Sequence, residues 1–168
     1  MNFVKCCLYF ALIGIIGFWI GRIIPKHRIN AESFPFAPFW FEKNGKIYER
    51  IKIHKWQSKL PDMSRIVPKF MPQKNLKGNY KERLPVMIEE TCIAELIHYL
   101  LCFMATYCVK LWPGMGGFWM SFIYIILFNL PYILIQRYNR PRLMRIMKKT
   151  RRAIEFVCEE GVANECEC

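Results

Sequence analysis

The stretch from Phe118 to Leu143, FWMSFIYIILFNLPYILIQRYNRPRL, constrains the chain more than any other. Its first eighteen residues, Phe118 to Ile135, carry no charge. At a helical rise of ~1.5 Å per residue they cover ~27 Å, close to the ~30 Å of hydrocarbon that a spanning helix crosses. The run reads as a transmembrane helix. The residues that follow, Gln136, Arg137, Tyr138, Asn139, Arg140, Pro141 and Arg142, are denser in hydrogen-bonding groups than an anchor needs, since a few lysines would serve. That excess points to a site.

Two further apolar runs share this character. Phe3 to Ile24 is interrupted only by Lys5 and Arg22 near its ends. A cleaved signal peptide is the rival reading, but the run from Cys6 to Gly21 is longer than a usual signal core and no small-x-small site precedes Arg22, so an uncleaved helix is expected. The next span begins near Thr91 and ends near Trp112, with Glu89, Glu90, Glu95 and His98 at its entrance. The link Trp112 to Gly117, WPGMGG, is short, uncharged and rich in turn formers, so it joins the second and third spans as an antiparallel hairpin. The expected architecture is an α-helical integral membrane protein of three transmembrane helices, with a basic cytoplasmic region between helices one and two. It divides into a first helix over 1–24, a basic and interfacial region over 25–90, the hairpin over 91–135, and a basic segment with an acidic, Cys-containing tail over 136–168.

Charge sets the orientation. Of the net +12, most falls in two blocks: 15 Lys or Arg against 7 acids between Arg22 and Glu90, and 8 Lys or Arg between Gln136 and Arg152. Three spans put both blocks on one side, and the positive-inside rule makes that side the cytoplasm. A multi-pass cell-membrane protein with its amino terminus outside and its carboxyl terminus cytoplasmic follows; Lys5 runs against this. Such blocks suit anionic lipids or phosphate-bearing substrates. Nucleic acid is disfavoured, because the basic blocks adjoin spanning helices and no recognised binding motif accompanies them. The eight cysteines form no disulfide framework and match no metal pattern, so neither a metal nor another cofactor is expected.

Between helices one and two, Phe34 to Phe41, FPFAPFWF, holds two prolines and five aromatic rings in eight residues. It cannot be a regular helix and is costly to leave in water. Either it lies along the membrane interface or it forms a small core under a loop. The following FEKNGKIYERIKIHKWQSKLPD contains an Asn44-Gly45 turn signal and fits a hairpin or a short helix pair.

Depths along the hairpin can be counted. From the outer turn, His98 and Glu95 lie ~20 and ~24 Å down helix two, and Asn129 and Arg137 lie ~17 and ~29 Å along helix three. Glu95 and His98 share a helix face. Ionisable groups at such depths cost ~2.5 to 3.5 kcal/mol each on insertion scales, so they are expected to face protein or a wet cavity. Pro131 also withholds a donor from the carbonyl of Leu127. A polar pocket in the inner leaflet results. Each member has a plainer role too: an interfacial pair satisfied by water, a patch on a kinked helix, or arginines that only anchor by charge. A diiron centre on Glu95-x-x-His98 would need a second such motif.

Three blocks, FEKNGKIYERIKIHKWQSKLPD at Phe41 to Asp62, ETCIAELIH at Glu90 to His98 and NLPYILIQRYNRPRL at Asn129 to Leu143, resemble the glycosyl-4,4'-diaponeurosporenoate acyltransferase family of the staphyloxanthin pathway. The resemblance covers the chain from about Phe39 to Arg145, and the tail from Lys148 has no counterpart in it. It implies transfer of a fatty acyl chain from acyl-CoA, acyl carrier protein or a lipid to a sugar hydroxyl on a glycosylated carotenoid, a glycolipid-like acceptor in the membrane.

Chemistry then suggests roles. Ester formation needs a base for the acceptor hydroxyl and donors for the developing oxyanion. His98 is the candidate base, with Glu95 holding its tautomer. Gln136, Arg137, Asn139, Arg140 and Arg142, with Asn129 and Glu90, are candidates for binding the donor's phosphates or the oxyanion. Lys55, Trp56, Lys59 and Asp62 are placed to close over the site. A small membrane methyltransferase and a non-enzymatic accessory subunit are the alternative functions.

Overall fold

The computed structural model describes residues 1–25, 29–45, 47–60 and 80–165. Among these residues the chain is all helical, without strands. Helix α1 spans Asn2–Ile23. The polar region holds a 3₁₀ turn, Trp40–Gly45, the short helices α2, Ile47–Arg50, and α3, Ile53–Trp56, and a second 3₁₀ turn, Gln57–Lys59. Of the two expectations for this region, the short helices are what form. Helix α4, Tyr80–Ala105, is followed by α5, Cys108–Leu111, then by α6, Met115–Ile123, a π-helical stretch, Tyr124–Asn129, and α7, Leu130–Glu165.

Three helical stretches are long and apolar enough to cross a membrane: Asn2–Ile23, Arg83–Leu111 and Met115–Ala153. The protein is a helical membrane protein. The third helix does not end where its apolar run ends at Ile135; it continues through the basic segment, carrying Pro141 in its interior. The π-helical turn comes immediately before Pro131. Such a turn changes the hydrogen-bond register ahead of a residue that has no N–H to give. The second helix also starts earlier than its apolar run, so Glu89 and Glu90 are helical.

The second span breaks after Ala105, which frees carbonyls in a region where backbone acceptors need partners. Side chains from the other two helices supply them. Tyr9 donates to the carbonyl of Met104 at 2.8 Å, and Ser121 donates to that of Ala105 at 2.7 Å.

Helix α1 packs on α4 through Gly17 and Gly21. A Cβ at Gly17 would stand 3.2 Å from both Ile97 Cγ2 and Leu101 Cδ2, and one at Gly21 would stand 3.3 Å from Ile97 Cγ1. The absent side chains let the helices approach closely, as small-residue repeats do in membranes. Ile13, Ile93, Ile97 and Leu101 form the buried cluster at this seam.

Candidate active site

Polar contacts join α4 to the third helical stretch, and the partners run in opposite order along the two. Ala105 meets Ser121, His98 meets Asn129, Glu95 meets Arg137, and Thr91 meets Arg140. These polar pairs set the register of the two helices.

The pair nearest the apolar middle is His98 with Asn129. Nδ1 of His98 lies 3.0 Å from Oδ1 of Asn129, and the Asn129 amide nitrogen donates to the carbonyl of Tyr124 at 3.1 Å. With its nitrogen committed to Tyr124, the amide presents only its oxygen to the ring, so Nδ1 of His98 carries the proton. Nε2 is then the unprotonated nitrogen. The His98 ring also stacks on Tyr132, with centroids 5.0 Å apart and planes at 7°.

Glu95 does not hold the tautomer of His98, contrary to the sequence expectation. It is fully buried and accepts from Arg137 Nη1, Arg140 Nη2 and the Tyr99 hydroxyl, the last at 2.9 Å. A carboxylate this deep is held by charge before it can serve as an orienter, and two guanidiniums outcompete one imidazole. The orienting group is the Asn129 amide instead.

Arg137 is saturated. Its Nε donates to Glu42 Oε1 at 2.5 Å, Nη1 donates to Glu95 and to the Pro35 carbonyl at 3.2 Å, and Nη2 donates to the Ala37 carbonyl at 3.1 Å and Glu42 Oε2 at 3.2 Å. All five guanidinium N–H groups are used. Arg140 is 1% exposed and donates to Thr91 Oγ1 at 3.0 Å, the Thr91 carbonyl at 3.1 Å, the Phe36 carbonyl at 2.7 Å and Glu95. The expectation that this pair grips a substrate phosphate therefore meets donors already taken by the protein. Glu42, Glu95, Arg137 and Arg140 instead form a buried quartet whose charges sum to zero.

The segment FPFAPFWF is the cap on this quartet. Prolines 35 and 38 prevent a helix, so the carbonyls of Pro35, Phe36 and Ala37 remain available as acceptors for the arginines. The Phe39 ring lies 4.5 Å from the Arg137 guanidinium carbon and the Phe36 ring 5.4 Å from that of Arg140. Trp40 and Phe34 point away, 91% and 83% exposed. A shallow recess lined by Phe36, Pro38, Glu42, Arg137, Arg140 and Pro141 opens beside the cap.

Glu42 and Tyr48 were not anticipated. Glu42 accepts from the Tyr48 hydroxyl at 2.6 Å and from the Phe39 N–H at 3.1 Å. Burial first, and then the bond to Glu42, raises the Tyr48 phenol above its ordinary pKa. Tyr48 packs with Ile53 and Tyr138, and Trp56 lies against the same cluster, which ties the short helices to α7.

The other expected site residues are dispersed. Gln136 is buried, and its Oε1 is without a partner. Asn139 and Glu90 are partly buried. Arg142 is exposed, bonding to the Tyr138 hydroxyl at 2.5 Å, and Lys55 is exposed on α3. Trp56 donates to the Ile51 carbonyl at 3.1 Å. Lys59 is exposed in the second 3₁₀ turn. Asp62 and the tail cysteines Cys166 and Cys168 lie outside the described residues.

No solved structure matches the chain. Proteins named glycosyl-4,4'-diaponeurosporenoate acyltransferase from Staphylococcus aureus strains bovine RF122 / ET3-1, USA300 and Newman are each 28% identical over 148 residues, covering 88% of this chain and 88% of the relative. The family model described by the same words matches residues 31–149, a range that contains the cap, the quartet, His98 and Asn129. The chain belongs to the glycosyl-4,4'-diaponeurosporenoate acyltransferase family.

Proposed function

We propose that this protein is a membrane acyltransferase that moves a fatty acyl group onto a sugar hydroxyl of a glycosylated carotenoid, with His98 as the general base. The observation that carries the catalytic assignment is the relay from the Tyr124 carbonyl through the Asn129 amide to Nδ1 of His98. It leaves Nε2 free to take a proton.

The reaction then runs as an addition and elimination. The sugar oxygen attacks the acyl carbonyl carbon while its proton passes to Nε2 of His98. The tetrahedral intermediate collapses, the bond to the thiol or alcohol of the donor breaks, and the leaving group takes the proton back from Nε2. An ester and the free donor thiol or alcohol result. General base assistance of this kind contributes ~10² to 10⁴ in rate. The unpartnered Oε1 of Gln136, one helical turn beyond Tyr132, is suited to accept a second hydroxyl of the sugar. Asn139 and Glu90 would contact polar parts of the substrates, with Lys55, Trp56 and Lys59 at the rim.

In this reading the quartet is positioning machinery. By locking Glu95 to Arg137 and Arg140, it fixes the register that sets His98 against Asn129, and by holding the cap it closes the polar end of the site. The basic region and carboxyl tail face the cytoplasm, where an acyl-CoA or acyl carrier protein would arrive, while acyl chain and carotenoid stay in hydrocarbon.

Reconstitution of the purified chain in lipid nanodiscs with a glucosyl carotenoid acid and a panel of acyl donors tests the function. Mass spectrometry should show a product heavier than the acceptor by one fatty acid less water. Methylated acceptor, or no product with any donor, would contradict the reading.

A further inference from the structure

One arginine outside the segment from Gln136 to Arg142 holds buried donors that are left open. It is Arg22, in the last turn of α1. Its Nε and Nη2 are buried and have no hydrogen-bond partner. These two nitrogens lie on one edge of the guanidinium, the edge that presents two parallel N–H groups to a carboxylate or phosphate. Its carbon stands 5.9 Å from the Phe18 ring, so the aromatic face is engaged while the fork is not.

Position adds to this. The neighbouring Gly21 packs against Ile93 and Ile97 of α4, which brackets the turn that carries Glu95. Arg22 therefore stands near the level of the quartet, at the polar end of the site. Glu42 and Glu95 are committed to Arg137 and Arg140, and Glu32 to Lys148 at 3.1 Å. A guanidinium fork shut away from water without an acceptor is costly, and an anion entering with its own acceptor oxygens removes the cost. Above Arg22, α1 exposes Leu12, Ile15, Ile16 and Trp19, an apolar surface along which an acyl chain can lie.

We propose that Arg22 is the phosphate-binding residue of this protein, gripping through Nε and Nη2 the phosphate of an acyl-bearing ligand whose chain runs along α1. The shared chemistry is a phosphate ester joined to a fatty acyl chain, carried either by a phospholipid or by an acyl-CoA donor. The inference rests on the acyl-transfer reading only where it makes that ligand the acyl donor.

Binding without turnover tests it. The purified full chain in detergent, with dioleoyl phosphatidylglycerol, palmitoyl-CoA or phosphate-free dioleoylglycerol added, is measured by native mass spectrometry. Arg22→Gln should weaken retention of a phosphate-bearing probe by about tenfold or more, as loss of a charge-assisted pair predicts. Arg22→Lys keeps the charge without the fork, and should weaken it several-fold. Dioleoylglycerol should be retained equally by all three proteins. A loss confined to phosphatidylglycerol identifies a lipid headgroup, and one confined to palmitoyl-CoA identifies the soluble donor. Equal retention of both phosphate probes by the parent and Arg22→Lys, or by the parent and a folded Arg22→Gln, overturns the proposal. Because the readout is binding, a protein that grips phosphate but transfers no acyl group would sink the acyl-transfer reading and leave this one standing.

Discussion

Nδ1 of His98 and Oδ1 of Asn129 face each other at 3.0 Å from helices that meet in opposite directions, thirty-one residues apart in the chain. In the proposed mechanism the amide takes the place that a carboxylate has in many hydrolytic triads, without adding a buried charge. Replacing Asn129 by Ala removes the group that fixes the tautomer while leaving the imidazole. Turnover should fall about tenfold or more with little change in KM for either substrate, measured as initial rates in nanodiscs. An unchanged kcat would remove Asn129 from the mechanism.

The quartet predicts a contrast among the arginines. Arg137→Ala strips Glu42 of its guanidinium and leaves the buried quartet one negative charge in excess, although Glu95 keeps Arg140, at a cost of ~3 to 5 kcal/mol. The variant should lose thermal stability and yield in detergent, read by a melting curve. Arg142→Lys, at an exposed position, should leave both stability and activity close to the parent. Equal melting temperatures for Arg137→Ala and the parent would show that the quartet does not hold the fold.

Much of this was legible before the fold. Counting residues from the WPGMGG turn puts His98 and Glu95 at depths between those of Asn129 and Arg137, because helices joined by a short link convert sequence distance into depth. The partners within that layer were not legible. Glu42 sits in a polar stretch that reads as solvated, so nothing local marks it as the counter-ion for Arg137. With Glu42 missing, the arginines appear to have spare donors and Glu95 appears free for His98. The prolines of FPFAPFWF exclude a helix, yet only the tertiary structure shows its carbonyls turned onto guanidiniums. The orphan fork of Arg22 was hidden for the opposite reason, since a basic residue at the end of a spanning helix reads as an anchor.

The seam between α1 and α4 supplies a test of packing. Gly17→Val places a branched side chain where even a Cβ stands 3.2 Å from two side-chain carbons. Overpacking of this kind costs ~1 to 3 kcal/mol. The melting temperature should fall, whereas Gly14→Ala, with open space around its would-be Cβ, should be neutral.

Tyr48 gives a pH dependence. Its folded pKa is raised above the ordinary 10.0, so the unfolded chain loses this proton first as pH rises. The contribution is fully present below about pH 10 and declines as pH climbs from there toward the folded value. Tyr48→Phe should lower stability at neutral pH, by removing the bond to Glu42, and flatten the decline above pH 10. A decline of the same steepness in both proteins would assign alkaline sensitivity to other groups.

Acyl transfer by His98→Ala in nanodiscs, followed by mass of the acylated acceptor, is measured alongside binding of the acceptor to the same preparation. Loss of the base should lower turnover by ~10² or more while the acceptor still binds, because the imidazole is removed and the helices that form the site remain. A His98→Ala protein that makes the acylated product at the parental rate contradicts the account.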